Sequence, residues 1–309
     1  MNVTPSHTMH DEINPRDKHI GLMSNYKRDP LTEKITEGKR MAIVMTHFGT
    51  THNDTREKTI DAINRSAQTL YEDITVRDAY TSRIILKRLR DRGEPKLNLP
   101  ETLEHLRSEG YTHVVVQPTV LIDGLEMESI RKDVTTCRSS FEEIRVGSPL
   151  FYHPIDYYRA IEAITNDYDK DRAYVWVGHG TYHPSTAQYT MITYVLREMG
   201  IDNVFVGTIE GFPTQEQAMA ELRRSGHKKV TLVPFMFVAG EHAKNDIAED
   251  WKEDFEAEGY EVDVLLQGLG EYPGIQALYL RKLEDTVTYS EWDIMSKKKI
   301  YTVTGEKMD

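Results

Sequence analysis

The sequence predicts an α/β protein made of two copies of one unit, each a parallel four-stranded sheet flanked by helices. Two observations carry this. Short apolar runs alternate with amphipathic helical patterns along most of the chain, and a segment of the first half reappears in the second. When "EHLRSEGYTHVVVQPTVLIDGLE" is set over "AELRRSGHKKVTLVPFMFVAGEH", Gly110 falls on Gly226 and Gly124 on Gly240 with one offset. Parallel strands need crossovers, and right-handed helical crossovers cover both faces of a sheet. At 309 residues the chain also exceeds the usual size of one domain. It divides into a polar N-terminal extension (1–39), a first domain (40–152) and a second domain with a C-terminal helix and tail (153–309).

The extension opens "MNVTPSHTMHDEINPRDKHIGLMSNYKRDP", polar and charged, so the first strand is expected only near Arg40. In the first unit "RMAIVMT" (40–46) leads into a helix whose apolar face is Ile60, Ile63, Ala67 and Leu70. "ITVRDAY", "YTHVVVQP" and "EEIRVG" supply the other three strands. Met127, Ile130, Val134, Cys137, Phe141 and Ile144 recur at steps of three and four, which sets the one cysteine against a core as an inert thiol. In the second unit "RAYVWVG" precedes a helix opened by Pro184, a residue suited to the first helical turn. "NVFVG", "KKVTLVP" and "YEVDVLL" follow as strands. Gly200 stops one helix, and "TQEQ" (214–217) has the form of a capping box that starts the next. Ile247, Trp251 and Phe255 form a core-facing stripe.

The composition narrows the function classes. A net charge of -12, from 38 basic and 50 acidic residues with no basic tract, argues against a nucleic-acid or anionic-membrane partner. No apolar run approaches a membrane-spanning length, and the first twenty residues lack the apolar core of a signal peptide. The expected location is therefore cytoplasmic; a signal removed ahead of Met1 would instead make the protein periplasmic or anchored at the outer membrane. No GxGxxG, Walker, GxSxG or paired CxxC motif is present, so nucleotide binding, serine hydrolysis and zinc-ribbon readings lose their usual support. The composition is compatible with assembly as a homo-oligomer.

In sheets of this kind ligands bind beyond the carboxyl ends of the strands, and two facing units would line one cleft. After the first strand of each unit come "HFGTTH" (47–52) and "HGTYH" (179–183), so His47 and His179 hold similar places. After the third, Glu126 and His242 each sit two residues beyond a matching glycine. Three histidines and a carboxylate suit a borderline divalent metal, and neighbouring glycines allow close approach of a ligand. Each residue alone has a plainer reading: a strand-end histidine is commonly a hydrogen-bonded structural residue, and Glu126 a first-turn carboxylate favoured by the helix dipole. His52, His183 and Asp54 are weaker candidates, equally well read as solvated loop residues.

At these residues the sequence resembles the class II tetrapyrrole chelatases, in particular the anaerobic-type sirohydrochlorin cobaltochelatases (CbiK-like). The resemblance runs from about Met41 to about Leu283. It is carried by "FGTTHNDTREKTI", "YTSRIILKRLRDR", "LIDGLEMESI", "GHGTYH", "PFMFVAGEHAKNDIAEDWK" and "GLGEYPGI". It implies two flavodoxin-like domains around a central cleft and insertion of a divalent metal into a tetrapyrrole such as sirohydrochlorin, in cobalamin-type biosynthesis. The family's metal-binding triad falls on Glu126, His179 and His242, with the two histidines also accepting protons. Cobalt is the expected metal, although the ligand types also admit iron, nickel and zinc. Donors for the substrate carboxylates are expected from Arg56, Arg83, Lys244 and the amides of Gly49, Thr50 and Thr51, with Glu210 facing the cleft. The polar extension and His47, which stands where the family commonly has a small residue, depart from the pattern. They suit a second expectation: an exported or surface haem-binding, iron-capture protein on the same fold, with or without turnover, in which His47 would be an axial haem ligand.

Overall fold

The computed structural model describes residues 26–240 and 243–306. The chain enters with β1 (Tyr26–Arg28). The first unit then runs through β2 (Met41–His47), α1 (Asn53–Lys58), α2 (Ile60–Leu70), β3 (Thr75–Tyr80), α3 (Arg83–Asp91), α4 (Leu99–Ser108), β4 (His113–Pro118), α5 (Leu125–Cys137) and β5 (Glu143–Val146). The second comprises α6 (Pro154–Thr165), β6 (Ala173–Gly178), α7 (Ala187–Glu198), β7 (Val204–Thr208), α8 (Gln215–Ser225) and β8 (Lys229–Phe235). A π-helical stretch (Ala243–Trp251) continues into α9 (Lys252–Ala257), followed by β9 (Glu261–Val264). The chain closes with α10 (Pro273–Thr288), β10 (Tyr289–Glu291) and α11 (Ile294–Thr304).

Two four-stranded parallel sheets have the same order, β3-β2-β4-β5 and β7-β6-β8-β9. Their registers match as well: Ala42 of β2 pairs with Thr75 and Val114, as Tyr174 of β6 pairs with Val204 and Thr231. The duplication read from the sequence is thus a duplication of topology. The inner strands β2, β4 and β6 are buried along their whole length, as expected where helices cover both faces. Outer strands such as β9 alternate buried and exposed positions.

One core runs between the units. Trp176 of β6 stacks on Phe235 of β8 at 4.8 Å, and Phe235 lies 5.6 Å from Phe151 at the end of the first unit. The residues of α2, β2, α6, α7 and α10 that face inward, among them Ile63, Met45, Ile161, Ile192 and Tyr279, belong to this cluster. Burying each such side chain contributes about 1.5–3 kcal/mol relative to exposure. Two outer clusters lie beneath the helices on the far faces, and the expected stripe Ile247, Trp251, Phe255 is buried in one of them. Thr214 and Gln217 form the expected capping box. Cys137 is half-buried, and burial raises its thiol pKa.

Two expectations are corrected. The first strand comes before Arg40: β1 pairs antiparallel with β10, and Leu31 is buried in the central core. A three-residue strand carries no periodic signal, and its partner lies at the other end of the chain. Leu70 is exposed, because α2 ends there and the chain turns away. Helix α10 packs on α6 of the second unit and also reaches the first, where Tyr279 Oη donates to the carbonyls of Thr119 and Val120 at 3.0 and 2.9 Å. Among the described residues no helix is long and apolar enough to cross a membrane.

Candidate active site

In each sheet the chain winds to one side of the first strand and then to the other, so the loops after β2 and β4, and after β6 and β8, splay apart at the strand ends. These four loops face one another across a cavity of about 590 Å³. Contacts across it are mirrored. The backbone N–H of Asp123 donates to Gln188 Oε1 at 2.8 Å, and Thr55 Oγ1 donates to the carbonyl of Ala239 at 3.4 Å. The matching glycines each lie against the other unit's first loop, though not equally tightly. A Cβ on Gly124 would stand 2.8 Å from Ser185 Oγ, so that glycine admits the other unit's first loop closely, whereas one on Gly240 would stand at an ordinary contact distance of 3.5 Å from Thr50 Oγ1.

Glu126 and His179 both line this cavity, together with Gly49, Thr50, Thr51, His52 and Glu210. Glu126 lies half-buried in the first turn of α5. His179 follows directly on β6, half-buried, with Nδ1 3.3 Å from the Gly180 carbonyl. The backbone of Gly180 explains the "GHG" turn: its φ is 81°, and a Cβ there would stand 2.1 Å from the Glu210 carbonyl oxygen. The amide of Glu210 in turn donates to the His179 carbonyl at 2.7 Å, which ties the loop after β7 to the histidine. His242 lies outside the described residues, as does the side chain of Lys244. Among the described residues no three His, Cys, Asp or Glu side chains gather closely enough to hold a metal ion.

His47 also borders the cavity, with both ring nitrogens already engaged by neighbours. Its ring is buried, with Nδ1 2.9 Å from Thr119 Oγ1 and Nε2 2.9 Å from Asn64 Oδ1, and it stacks 6.2 Å from Phe237. Burial pushes its pKa down to about 4, so the imidazole is neutral. A neutral ring with Nε2–H donated to Asn64 and Nδ1 accepting from Thr119 satisfies all four groups and leaves no nitrogen for a metal.

The expected arginines divide. Arg56 is held by Asp61 and Glu94 at 3.3 and 3.2 Å and does not line the cavity; neither does Arg83. Ser82 caps α3, its Oγ accepting from Ile85 N–H, and that start turns Ile84 and Arg88, four residues apart on one face, toward the cavity instead. His183 is the cap of the turn before α7, with Nε2 3.1 Å from Glu128, and both it and Asp54 lie outside the lining. Sequence reasoning missed the apolar rim. Phe48, Ile84, Leu125 and Tyr182 line the cavity and are 45%, 67%, 37% and 88% exposed. Exposed apolar groups clustered around a cavity mark a binding surface. Their spacing in sequence gives no sign of this, since an apolar residue beside a strand or helix end reads as core.

The profile of a family described as Cobalt chelatase (CbiK) matches residues 41–288. The sirohydrochlorin cobaltochelatase of Salmonella typhimurium is 32% identical over 256 residues, covering 80% of this chain and 97% of that one. The sirohydrochlorin cobaltochelatase CbiKC of Nitratidesulfovibrio vulgaris is 29% identical over 286 residues, covering 89% and 98%. Among solved structures, SirB from Bacillus subtilis with Fe3+ superposes with a TM-score of 0.59 at 16% identity, over 80% of this chain and 96% of that one. At that identity the likeness concerns the fold, and it agrees with the two matching sheets. With the profile spanning both units and the cavity between them, the chain belongs to the CbiK cobalt chelatase family.

Proposed function

We propose that this chain inserts cobalt into sirohydrochlorin in the cavity between its two sheets. The observation that carries this reading is that Glu126 and His179, from different units, line a single cavity rimmed by exposed apolar side chains. The chemistry needs that combination. A metal must reach the face of a macrocycle while two pyrrole N–H protons leave, so a ligand and a base are wanted on one side of the ring. Imidazole serves both purposes near neutral pH, and a carboxylate completes a borderline ligand set and balances the incoming charge. In this reading His179 and, by the family resemblance, His242 hold the metal with Glu126 as third ligand, and each imidazole takes one of the two pyrrole protons as it hands the metal to the ring. Phe48, Ile84, Leu125 and Tyr182 cover the macrocycle, while Arg88 and the amides of Gly49 to Thr51 meet its carboxylates. Relatives named as sirohydrochlorin cobaltochelatases support the choice of cobalt over iron, nickel or zinc.

The test follows the absorption of sirohydrochlorin after addition of Co2+. The parent protein should shift the spectrum at a rate proportional to its concentration, and His179→Ala should slow it by about 100-fold or more, the usual contribution of a positioned base. A His179→Ala protein as fast as the parent would refute the assignment.

A further inference from the structure

A second cavity, of about 360 Å³, opens among β5, α6, α10 and the β1–β10 ribbon. Its wall carries six cationic residues, Arg131, Arg138, Arg145, Arg159, Arg281 and Lys282, against four carboxylates, in a chain whose net charge is -12. Several of these cations hold the fold together. Arg145 donates to the carbonyls of Thr286, Val287, Tyr289 and Asp29. Lys282 binds Asp156 at 2.7 Å, and Arg131 binds Asp123 through two bonds of 2.6 and 3.1 Å.

Arg281 is different. Its Nη2 is buried and has no hydrogen-bond partner. Glu284 and Asp285 feel its charge, yet burial dominates both, raising the first and pushing Asp285 up to about 6. Neither accepts a bond from Nη2. A buried donor left unsatisfied costs about 1–3 kcal/mol, and more when it is charged. The guanidinium edge is a flat pair of donors matched to two oxygens of a carboxylate or phosphate. We propose that this cavity is a second ligand site, taking a small oxyanion, a carboxylate or phosphate group, on Arg281. The site is separate from the metal-insertion cavity and does not depend on the reading of that cavity.

The test is calorimetric titration of the full chain at low ionic strength with inorganic phosphate and, separately, with succinate. At least one probe should bind with one-to-one stoichiometry and a Kd below about 1 mM, a free energy near −4 kcal/mol. Phosphate alone would point to a phosphorylated ligand and succinate alone to a carboxylic one. Arg281→Met should weaken that binding at least tenfold. Because Nη2 has no acceptor to lose, the substitution should leave the thermal midpoint unchanged or raised. Arg159→Gln, on α6, should also weaken binding and serves if Arg281→Met does not fold. Arg223→Gln, at an exposed ion pair with Glu258, should bind as the parent does. The proposal is overturned if neither probe saturates the parent, or if the folded Arg281→Met protein binds as tightly.

Discussion

His47 should make the stability of this protein depend on pH in a defined window. The group has an unperturbed pKa near 6.5, and burial lowers it to about 4 in the folded chain. The unfolded chain therefore takes up a proton in a range where the folded chain does not. The stabilisation is complete above about 6.5 and is lost as pH falls toward 4. Across the full window the shift corresponds to about 3 kcal/mol, of which about 2 kcal/mol is lost by pH 5. The comparison is with His47→Gln, which keeps a polar side chain but does not titrate. Other groups, including the oppositely shifted Asp285, titrate alike in both proteins and cancel. Urea unfolding followed by circular dichroism at pH 7.5 and pH 5.0 gives the two stabilities. The parent should lose about 2 kcal/mol relative to the variant between these conditions. An unchanged gap would refute the reasoning, and so would an imidazole signal of His47 titrating near 6.5. Either result would mean that the ring is not held neutral between Thr119 and Asn64, and would reopen the axial-ligand reading.

Arg88→Gln should raise KM for sirohydrochlorin several-fold with little change in kcat, whereas Arg56→Gln, whose parent side chain is bound to Asp61 and Glu94, should leave KM unchanged; steady-state kinetics under the spectroscopic assay separates them. Gly180→Ala combines a left-handed φ with a Cβ 2.1 Å from the Glu210 carbonyl. It should cost about 1–3 kcal/mol or more and lower insertion activity with it, read by the thermal midpoint and the same assay.

The sequence determined the architecture because the forces that set it are local and repetitive. Apolar runs such as "VVVQP" bury on both faces, helices carry their stripes at 3.6-residue spacing, and the glycine offset between the halves fixed the equivalence of two sheets. That same equivalence put Glu126 and His179 at strand ends, where strand order alone opens a cleft. What the tertiary structure decided depended on residues distant in the chain. His47 and His179 occupy matching positions, yet one is sealed between Asn64, Thr119 and Phe237 while the other stands half-open on the cavity. Their neighbours come from different elements, and no motif encodes them. Arg88 replaced Arg83 at the cavity because a serine cap set the phase of one helix. The short ribbon of β1 and β10 joins segments more than 250 residues apart, and the Nη2 of Arg281 is buried without an acceptor only once α10 has packed across both units. Periodicity reports which face of an element is buried; it carries no information on what that face meets.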